Sequence, residues 1–431
     1  MVKGMRRTAD NARAEPTKPD AEAPQPRRGQ AFVRAVVRVV DRWAAVARRR
    51  LSAGELGSLP VVLVLAAVWI TFQSLNQSFL SPRNLSNLSV DVAGTGLIAV
   101  GVVFVLLIGE LDLSVGSISG LAAAVFAVLN VNNGVPEWLA AIIGVLTGTA
   151  AGTIQGFSFA KTRVPAFVVT LAGLLTWNGF MLYVLGTSGT VNLDENGLVA
   201  KLTSYYFTND AVAYGLAAIA AAMVFLVCYQ ERRRRKTVGM PYRSLRGIVA
   251  RTGVLAVMAF TGAYLLNRFQ GLPLALLIFL VVVAGLDIVL RRTHYGRQIY
   301  ALGGSVEAAR RASLSVTGVQ TAVLAISGTM AAIGGLFLAS RITSVSQSSG
   351  SGVLLLNAIA AAVIGGTSLF GGRGTTWSAA LGMLIIQSIA SGMALTDTPA
   401  AVQFIITGGV LFAAVVIDSL SRRSQKAHGR A

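Results

Sequence analysis

Two carboxylates lie close together in a stretch of the chain that is otherwise apolar. Glu110 and Asp112 belong to the segment Ile108–Ser117, IGELDLSVGS. A carboxylate at membrane depth is costly unless it faces water, a partner or a helix end, so both are candidates for lining a translocation pathway. Asp112 and Ser114 could equally cap the helix that follows. The glycines of the segment permit a break in the backbone, which is tolerated only where protein or water covers it.

A long polar segment, 291–318, interrupts the apolar part of the chain. It begins with basic residues, carries Gly303 and Gly304, and continues into a predicted amphipathic helix at 305–314. This helix combines small residues, which allow close approach of a partner, with charged ones that can pair across an interface. The residues concerned are Glu307, Ala308, Ala309, Arg310 and Arg311. The alternative is a solvated loop whose arginines only follow the rules of membrane topology.

The composition indicates that these residues are carried by a membrane protein. Of 431 residues, 54% are hydrophobic and 13% are charged, whereas roughly a quarter of the residues of soluble proteins are charged. Apolar runs long enough to span a bilayer recur about twelve times. The predicted fold class is therefore all-α, a polytopic bundle of transmembrane helices within residues 58–417. The predicted spans are 58–75, 91–109, 112–130, 137–159, 164–186, 210–229, 247–267, 272–290, 316–340, 353–371, 375–395 and 399–417.

The distribution of charge predicts the orientation. With the N-terminus inside, the predicted inner segments hold most of the 37 lysines and arginines. The predicted outer segments hold more acids than bases, and the longest of them, 187–210, is either a landing surface for a soluble partner or a solvated connector. This asymmetry follows the positive-inside rule and places both termini in the cytosol. It also explains the net charge of +19 without nucleic acid as a partner.

The regions outside the predicted spans are polar or amphipathic. Residues 1–30 are predicted to form a disordered basic tail, and 418–431 a basic cytosolic tail. Residues 31–57 predict an amphipathic helix on the inner membrane surface, or alternatively a helix packed on a soluble neighbour. A lone cysteine, Cys228, excludes an internal disulfide. Two histidines without a metal-ligand spacing predict no metal, and we expect no cofactor.

The predicted span 137–159 carries a glycine at every fourth position. Because residues four apart share one face of a helix, this stripe predicts tight helix packing, within the subunit or across a dimer. The four residues are Gly144, Gly148, Gly152 and Gly156.

Four stretches in order resemble the permeases of monosaccharide ABC importers, of the ribose, galactose and xylose type. They are GELDLSVGSISGLAAAV, VPAFVVTLAGLLTWNGF, YGRQIYALGGSVEAARRASL and LNAIAAAVIGGTSLFGGRGTTWSAALG. An added pair of spans around Arg232–Lys236 is similar to the xylose and multiple-sugar branch. The resemblance implies a type II importer-like permease core.

The same resemblance implies partners. Gly303, Gly304 and the residues 307–311 match the coupling loop, on which a cytosolic ABC ATPase subunit docks. An extracytoplasmic sugar-binding protein would deliver a monosaccharide to a pathway between two permease subunits, expected to be a homodimer. The chain has no Gly-Lys dipeptide and so no Walker A loop. It is therefore predicted not to be an enzyme, with ATP hydrolysis in the partner.

Several polar or aromatic residues are candidates for lining the pathway beside Glu110, Asp112 and Ser114. Trp177 offers a stacking surface for a sugar ring, and Asn178 and Asn357 offer amides. Each amide could instead be an interhelical hydrogen-bonding residue. The alternatives to the importer are an ion-coupled secondary transporter, a membrane-embedded enzyme, and an ABC permease for another small solute.

Overall fold

The structure is a computed structural model of the chain, and it describes residues 59–162, 164–242, 244–350, 352–399, 401–412 and 416. The predicted disordered tail at 1–30, the predicted interfacial helix at 31–57 and the predicted C-terminal tail at 418–431 lie outside the described residues.

Helices make up most of the described chain. In order they are α1 (Leu59–Leu75), α2 (Pro82–Leu107), α3 (Val115–Ala127), α4 (Glu137–Thr162), α5 (Ala166–Leu185), α6 (Lys201–Ser204), α7 (Asp210–Thr237), α8 (Leu245–Asn267), α9 (Leu274–Arg292), α10 (His294–Gly304), α11 (Val306–Arg311), α12 (Val316–Ile342), α13 (Gly352–Ile364), α14 (Thr376–Leu395) and α15 (Ala401–Phe412). A π-helical turn, Val128–Asn132, prolongs α3.

The predicted polytopic helical bundle is confirmed. Among the described residues, nine helices are long and apolar enough to cross a membrane, counting α3 together with its π-helical turn. The three other predicted spans correspond to α1, α13 and α15, which are shorter apolar helices. Each of the twelve predicted spans thus has a helix at its position.

Two predicted span ends were wrong for identifiable local reasons, and α7 also continues past the predicted end at 229 to Thr237. The span predicted at 91–109 starts nine residues earlier, at Pro82, where the Ser81 hydroxyl accepts a hydrogen bond from Asn84 N–H at 3.3 Å. A capping serine followed by proline is a strong helix start. The span predicted at 353–371 ends at Ile364, because Gly366 adopts a φ of +102° that a helix cannot contain.

The core of the bundle is α2. Its residues from Val92 to Leu107 are all buried, and it packs against α9, α12, α13 and α14. A helix that is apolar all round and covered on every side is central to its protein. The segment that follows α2, with Glu110 and Asp112, is thereby fixed at the end of the most buried helix.

The glycine stripe of α4 lies against α12 and α3. A Cβ at Gly144 would lie 2.8 Å from the carbonyl oxygen of Ala122 on α3. A Cβ at Gly156 would lie 2.8 Å from Thr321 Cα on α12, and between them Gly152 contacts the Leu324 carbonyl oxygen. The backbones are therefore closer than any side chain would allow, and the stripe packs within the subunit.

Four short strands lie together at one end of the bundle, called here the strand end. β1 (Thr190–Asn192) pairs with β4 (Ser344–Ser346), and β2 (Tyr206–Phe207) pairs with β3 (Leu272–Pro273), both antiparallel. Helices α10 and α11 lie at the opposite end, called the α10 end, because α9 leads directly into them.

The predicted outer loop at 187–210 lies at the strand end and is folded onto the bundle. The Glu137 carboxylate of α4 accepts hydrogen bonds from Leu198 N–H and Val199 N–H, both at 2.6 Å. The hydroxyls of Thr203 and Ser340 lie 2.7 Å apart. These contacts fix the loop, so the interpretation of it as a plain solvated connector is not favoured.

Candidate coupling surface and translocation site

Helices α10 and α11 begin at clear capping residues. The Thr293 hydroxyl accepts from Gly296 N–H at 3.1 Å, and the Ser305 hydroxyl accepts from Ala308 N–H at 3.2 Å. The sequence predicted one helix at 305–314, and the structure has a shorter one, α11, preceded by an unpredicted one, α10. Glycine lowers helix propensity, but here Ile299 and Leu302 are buried, and tertiary packing carries α10 through the double glycine.

The predicted docking residues of α11 are presented outward. Ala309 is buried against the bundle, whereas Glu307, Ala308, Arg310 and Arg311 are exposed. The acid lies in the first turn and the bases in the last, which suits the dipole of the helix. The helix therefore shows a partner a small, charged and preformed surface.

Three backbone segments meet at the α10 end in what we call the glycine junction, formed by Gly109, Gly303, Gly371 and Gly372. Gly372 N–H donates to the Leu107 carbonyl oxygen at 2.8 Å. A Cβ at Gly303 would overlap that same oxygen and lie 2.6 Å from Gly372 N. The junction thus joins the end of α10, the end of α2 and the loop between α13 and α14 through main-chain atoms.

Tyr300 of α10 strengthens this connection. The Tyr300 hydroxyl donates to the Gly374 carbonyl oxygen at 2.8 Å, which ties α10 to the same loop. A shift of α10 must accordingly move the loop that follows α13.

Asp112 lies at the centre of a buried polar cluster, the Asp112 cluster, with Ser114, Gln155 and Ser327. One carboxylate oxygen accepts from Ser114 N–H at 2.9 Å and from the Ser114 hydroxyl at 2.6 Å. The other accepts from the Ser327 hydroxyl of α12 at 2.8 Å. The cluster joins the α2–α3 turn to α4 and α12, and all four side chains are buried.

The Gln155 side chain completes this cluster. Ser114 Oγ lies 2.8 Å from Gln155 Oε1, but its single proton goes to the carboxylate, the stronger acceptor. Gln155 Nε2 and Trp177 Nε1 have no hydrogen-bond partner among the described residues, and both lie beside Gly173. We therefore assign the amide with its nitrogen toward Ser114 and its oxygen toward the Trp177 indole, because amide orientation follows from the hydrogen-bond network.

The pathway candidates do not all come together. Asp112 and Ser114 are in direct contact, and Trp177 lies near them through Gln155. Asn178 is exposed on α5, Asn357 is half-buried on α13, and Glu110 is half-buried beyond the end of α2. The structure thus gathers the predicted residues of the α2–α3 turn into one cluster and leaves the two asparagines outside it.

Two members of the cluster were missed from the sequence. Gln155 precedes Gly156 of the glycine stripe, and Ser327 precedes Gly328, which packs on that stripe. A lone amide beside a close-packing glycine is a signal that could have identified Gln155, because a polar group there must find a partner in the interface. Ser327 gives no such signal, since serine is frequent in membrane helices.

Replacing Asp112 by alanine is expected to lower the melting temperature of the purified protein by several degrees. The change leaves Ser114 N–H and the Ser327 hydroxyl buried without an acceptor, a loss of about 3 kcal/mol. Asp112→Asn keeps one oxygen, and the Ser327 hydroxyl can rotate to accept from the new amide, so a smaller loss is expected. Thermal unfolding in detergent compares the two. Equal melting temperatures for wild type and Asp112→Ala would contradict a structural role for the carboxylate.

These features define a class of protein. A bundle of apolar helices with a buried polar cluster and a capped helix pair joined to its central helix is a multi-pass membrane protein with polar groups between its helices. The amino-acid sequence then places the chain within that class.

The chain belongs to the family of permease components described as branched-chain amino acid transport systems, whose pattern matches residues 84–246 and 238–415. It is 36% identical over 365 residues to the xylose transport system permease protein XylH of Escherichia coli, which covers 84% of this chain and 90% of that protein. It is 31% identical over 365 residues to the ribose import permease protein RbsC of Bacillus subtilis, covering 85% and 94%.

A third relative is the L-arabinose ABC transporter permease protein AraH of Azospirillum brasilense, 28% identical over 388 residues, covering 89% of this chain and 95% of that protein. No solved structure matches the chain. The relatives are all transporter permeases, which confirms the family resemblance and the expectation that the chain is a transport component rather than an enzyme.

Proposed function

We propose that this chain is the membrane permease subunit of an ATP-binding-cassette importer for a monosaccharide, with a pentose such as xylose as the best candidate. The observation that carries the proposal is the junction of the exposed α11 surface with α2 through Gly303 and Leu107. A stand-alone transporter would not need such a surface. The sugar is proposed because the relatives named above are permeases for xylose, ribose and arabinose.

The two ends of the bundle suit two different partners. At the α10 end, the exposed charges of α11 fit an ATPase subunit that carries complementary charges. At the strand end, the exposed polar residues Asn192, Asp194, Glu195 and Asn196 lie on the fixed loop and fit a sugar-binding protein. We accordingly place the α10 end in the cytosol, the strand end outside a bacterial plasma membrane, and a second copy of the chain across the pathway.

The mechanism follows from the connections of the glycine junction. When the ATPase subunits close, they displace α11 and α10 together, because Ser305 ends one helix and caps the other. Gly303 then carries the shift to Leu107 and Gly372. From there it reaches the α2–α3 turn with Asp112 and the loop after α13. The helices bordering the pathway thereby exchange between inward-open and outward-open arrangements.

The runner-up function is an ion-coupled secondary transporter, for which Asp112 would be the ion site. Both carboxylate oxygens of Asp112 accept hydrogen bonds from N–H or O–H donors. Donors in these positions oppose a bound cation, so the geometry favours the importer. A different cargo within the same class is the other candidate, since the family description names branched-chain amino acids.

Glu307→Lys is expected to abolish sugar-stimulated ATP hydrolysis in liposomes containing the permease, its ATPase and its binding protein. The change reverses the negative charge in the first turn of α11, and like charges across an interface cost several kcal/mol, about 2 or more. The ATPase should no longer co-purify with tagged permease.

Glu195→Lys is the matched control, because it is the same charge reversal on an exposed residue at the strand end. It should leave co-purification of the ATPase unchanged. The importer proposal is wrong if the wild-type chain alone accumulates sugar when a proton or sodium gradient is applied, and if adding the ATPase subunit and ATP does not change the uptake.

A further inference from the structure

A cavity of about 330 Å³ lies at the α10 end, between the last turns of α7 and α9. It is lined by Val227, Gln230, Glu231, Arg234, Arg291 and Arg292. Helix α7 belongs to the pair of spans that the family resemblance marks as added, and none of the lining residues belongs to the α11 surface or to the glycine junction. Its walls bring guanidinium groups from two different helices to one place.

The charges in the cavity are not balanced by the described residues. Glu231 pairs with Arg235 at 2.8 Å, and Arg291 pairs with Asp287 at 2.9 Å. Arg234 and Arg292 have no carboxylate within ion-pair distance among the described residues. Two cations that face one cavity repel each other, and an anion between them removes that repulsion. The C-terminal ends of the two helices carry partial negative charge, which repels an anion. The attraction for an anion must therefore come from the arginine side chains.

The cavity lies where the apolar surface of both helices ends. On the side of the cavity that faces the strand end, Leu226 and Val227 of α7 are exposed, at 52% and 40% of their surface. On the same side, Ile288 of α9 is 48% exposed. The polar run of α7 begins at Gln230, and α9 ends in Arg291 and Arg292. A ligand that fits this boundary has an anionic head and apolar chains that run down the helices.

We propose that the cavity binds the phosphate headgroup of an anionic phospholipid, with its acyl chains along the exposed apolar faces of α7 and α9. A guanidinium group can donate two parallel hydrogen bonds to two oxygens of a phosphate. The guanidinium groups of Arg234 and Arg292, which have no carboxylate partner among the described residues, supply these donors. Basic clusters at the end of a membrane helix bind anionic headgroups for the same reason. The bound lipid holds the added helix pair against α9, with which its own contacts are few. This proposal does not depend on which solute is transported.

The test compares two double variants of the full chain with the same net charge. Arg234→Gln with Arg292→Gln removes the unpaired cations of the cavity. Arg233→Gln with Arg246→Gln removes two exposed cations at the same end that do not line it. Each protein is stripped of lipid, reconstituted in phosphatidylcholine nanodiscs, and titrated with phosphatidylglycerol, with bound lipid counted by native mass spectrometry.

The cavity variant is expected to lose affinity for phosphatidylglycerol by about tenfold or more, while the control variant binds like wild type. Melting temperatures in phosphatidylcholine alone should be equal for all three, which shows that the folds are intact. Equal loss in both double variants would mean that only the general positive charge of this end attracts lipid, and would overturn the proposal. Stabilisation by inorganic phosphate that matches and displaces phosphatidylglycerol would also overturn it, in favour of a free-anion site.

Discussion

Gly303→Ala is expected to reduce ATP-driven sugar uptake by about tenfold or more while leaving the protein in the membrane. A methyl group at this position would overlap the Leu107 carbonyl oxygen and lie 2.6 Å from Gly372 N. Both obstacles are main-chain atoms, so α10 must move away from α2. Overpacking of this kind costs about 1–3 kcal/mol, and 1.4 kcal/mol is tenfold in an equilibrium constant.

The neighbouring glycine provides the control. A Cβ at Gly304 meets no atom within 4 Å, so Gly304→Ala makes the same chemical change in the same helix without a clash. Uptake and sugar-stimulated ATP hydrolysis are measured in proteoliposomes with equal amounts of inserted permease. If the two variants transport equally well, the glycine junction does not transmit movement.

Gly152→Leu is expected to prevent the chain from folding. A side chain at Gly152 would overlap the Leu324 carbonyl oxygen and lie 3.1 Å from Gly328 Cα, where α4 and α12 are in closest contact. Separation of these helices would open the main interface of the bundle, with a loss of more than about 4 kcal/mol. Size-exclusion chromatography of the detergent-solubilised protein should show aggregate in place of a single sharp peak.

Gly215→Leu is the matched control in another apolar helix. Nothing lies within 4 Å of a Cβ at Gly215 on α7, and leucine has a higher helix propensity than glycine by about 0.8 kcal/mol. This variant should elute as wild type does and melt at the same temperature or slightly higher. A sharp peak for Gly152→Leu would show that the α4–α12 interface can be remodelled.

The parts of the fold that follow from local pattern could be predicted from the sequence. Apolar runs indicated each of the nine membrane-length helices in the described part of the chain, because a bilayer demands a minimum length of apolar helix. The four-residue spacing of Gly144 to Gly156 indicated close packing, because that spacing defines one face of a helix. Neither pattern identifies the partner of a helix, and the choice of α12 as neighbour of α4 became visible only in the structure.

The site was harder to predict, for reasons that differ between residues. Asp112 has the chemistry of both an ion ligand and a cap. Two of the three donors around it belong to Ser114, which is its neighbour in the sequence, but the third is the Ser327 hydroxyl, 215 residues away. Gly303 and Gly304 have identical local propensities, so the sequence does not distinguish one from the other. The close approach of Leu107 to only one of them depends on packing between segments about 200 residues apart.

The glycine junction consists of main-chain atoms, whereas the α11 surface consists of side chains. In the proposed mechanism, recognition of the ATPase subunit and transmission of its movement therefore depend on separate chemical groups. Substitutions at Glu307, Arg310 or Arg311 can drift over generations without disturbing the contact of Gly303 with Leu107. The residues of the α11 surface can therefore change to suit a different ATPase subunit while the main-chain contacts of the glycine junction stay the same.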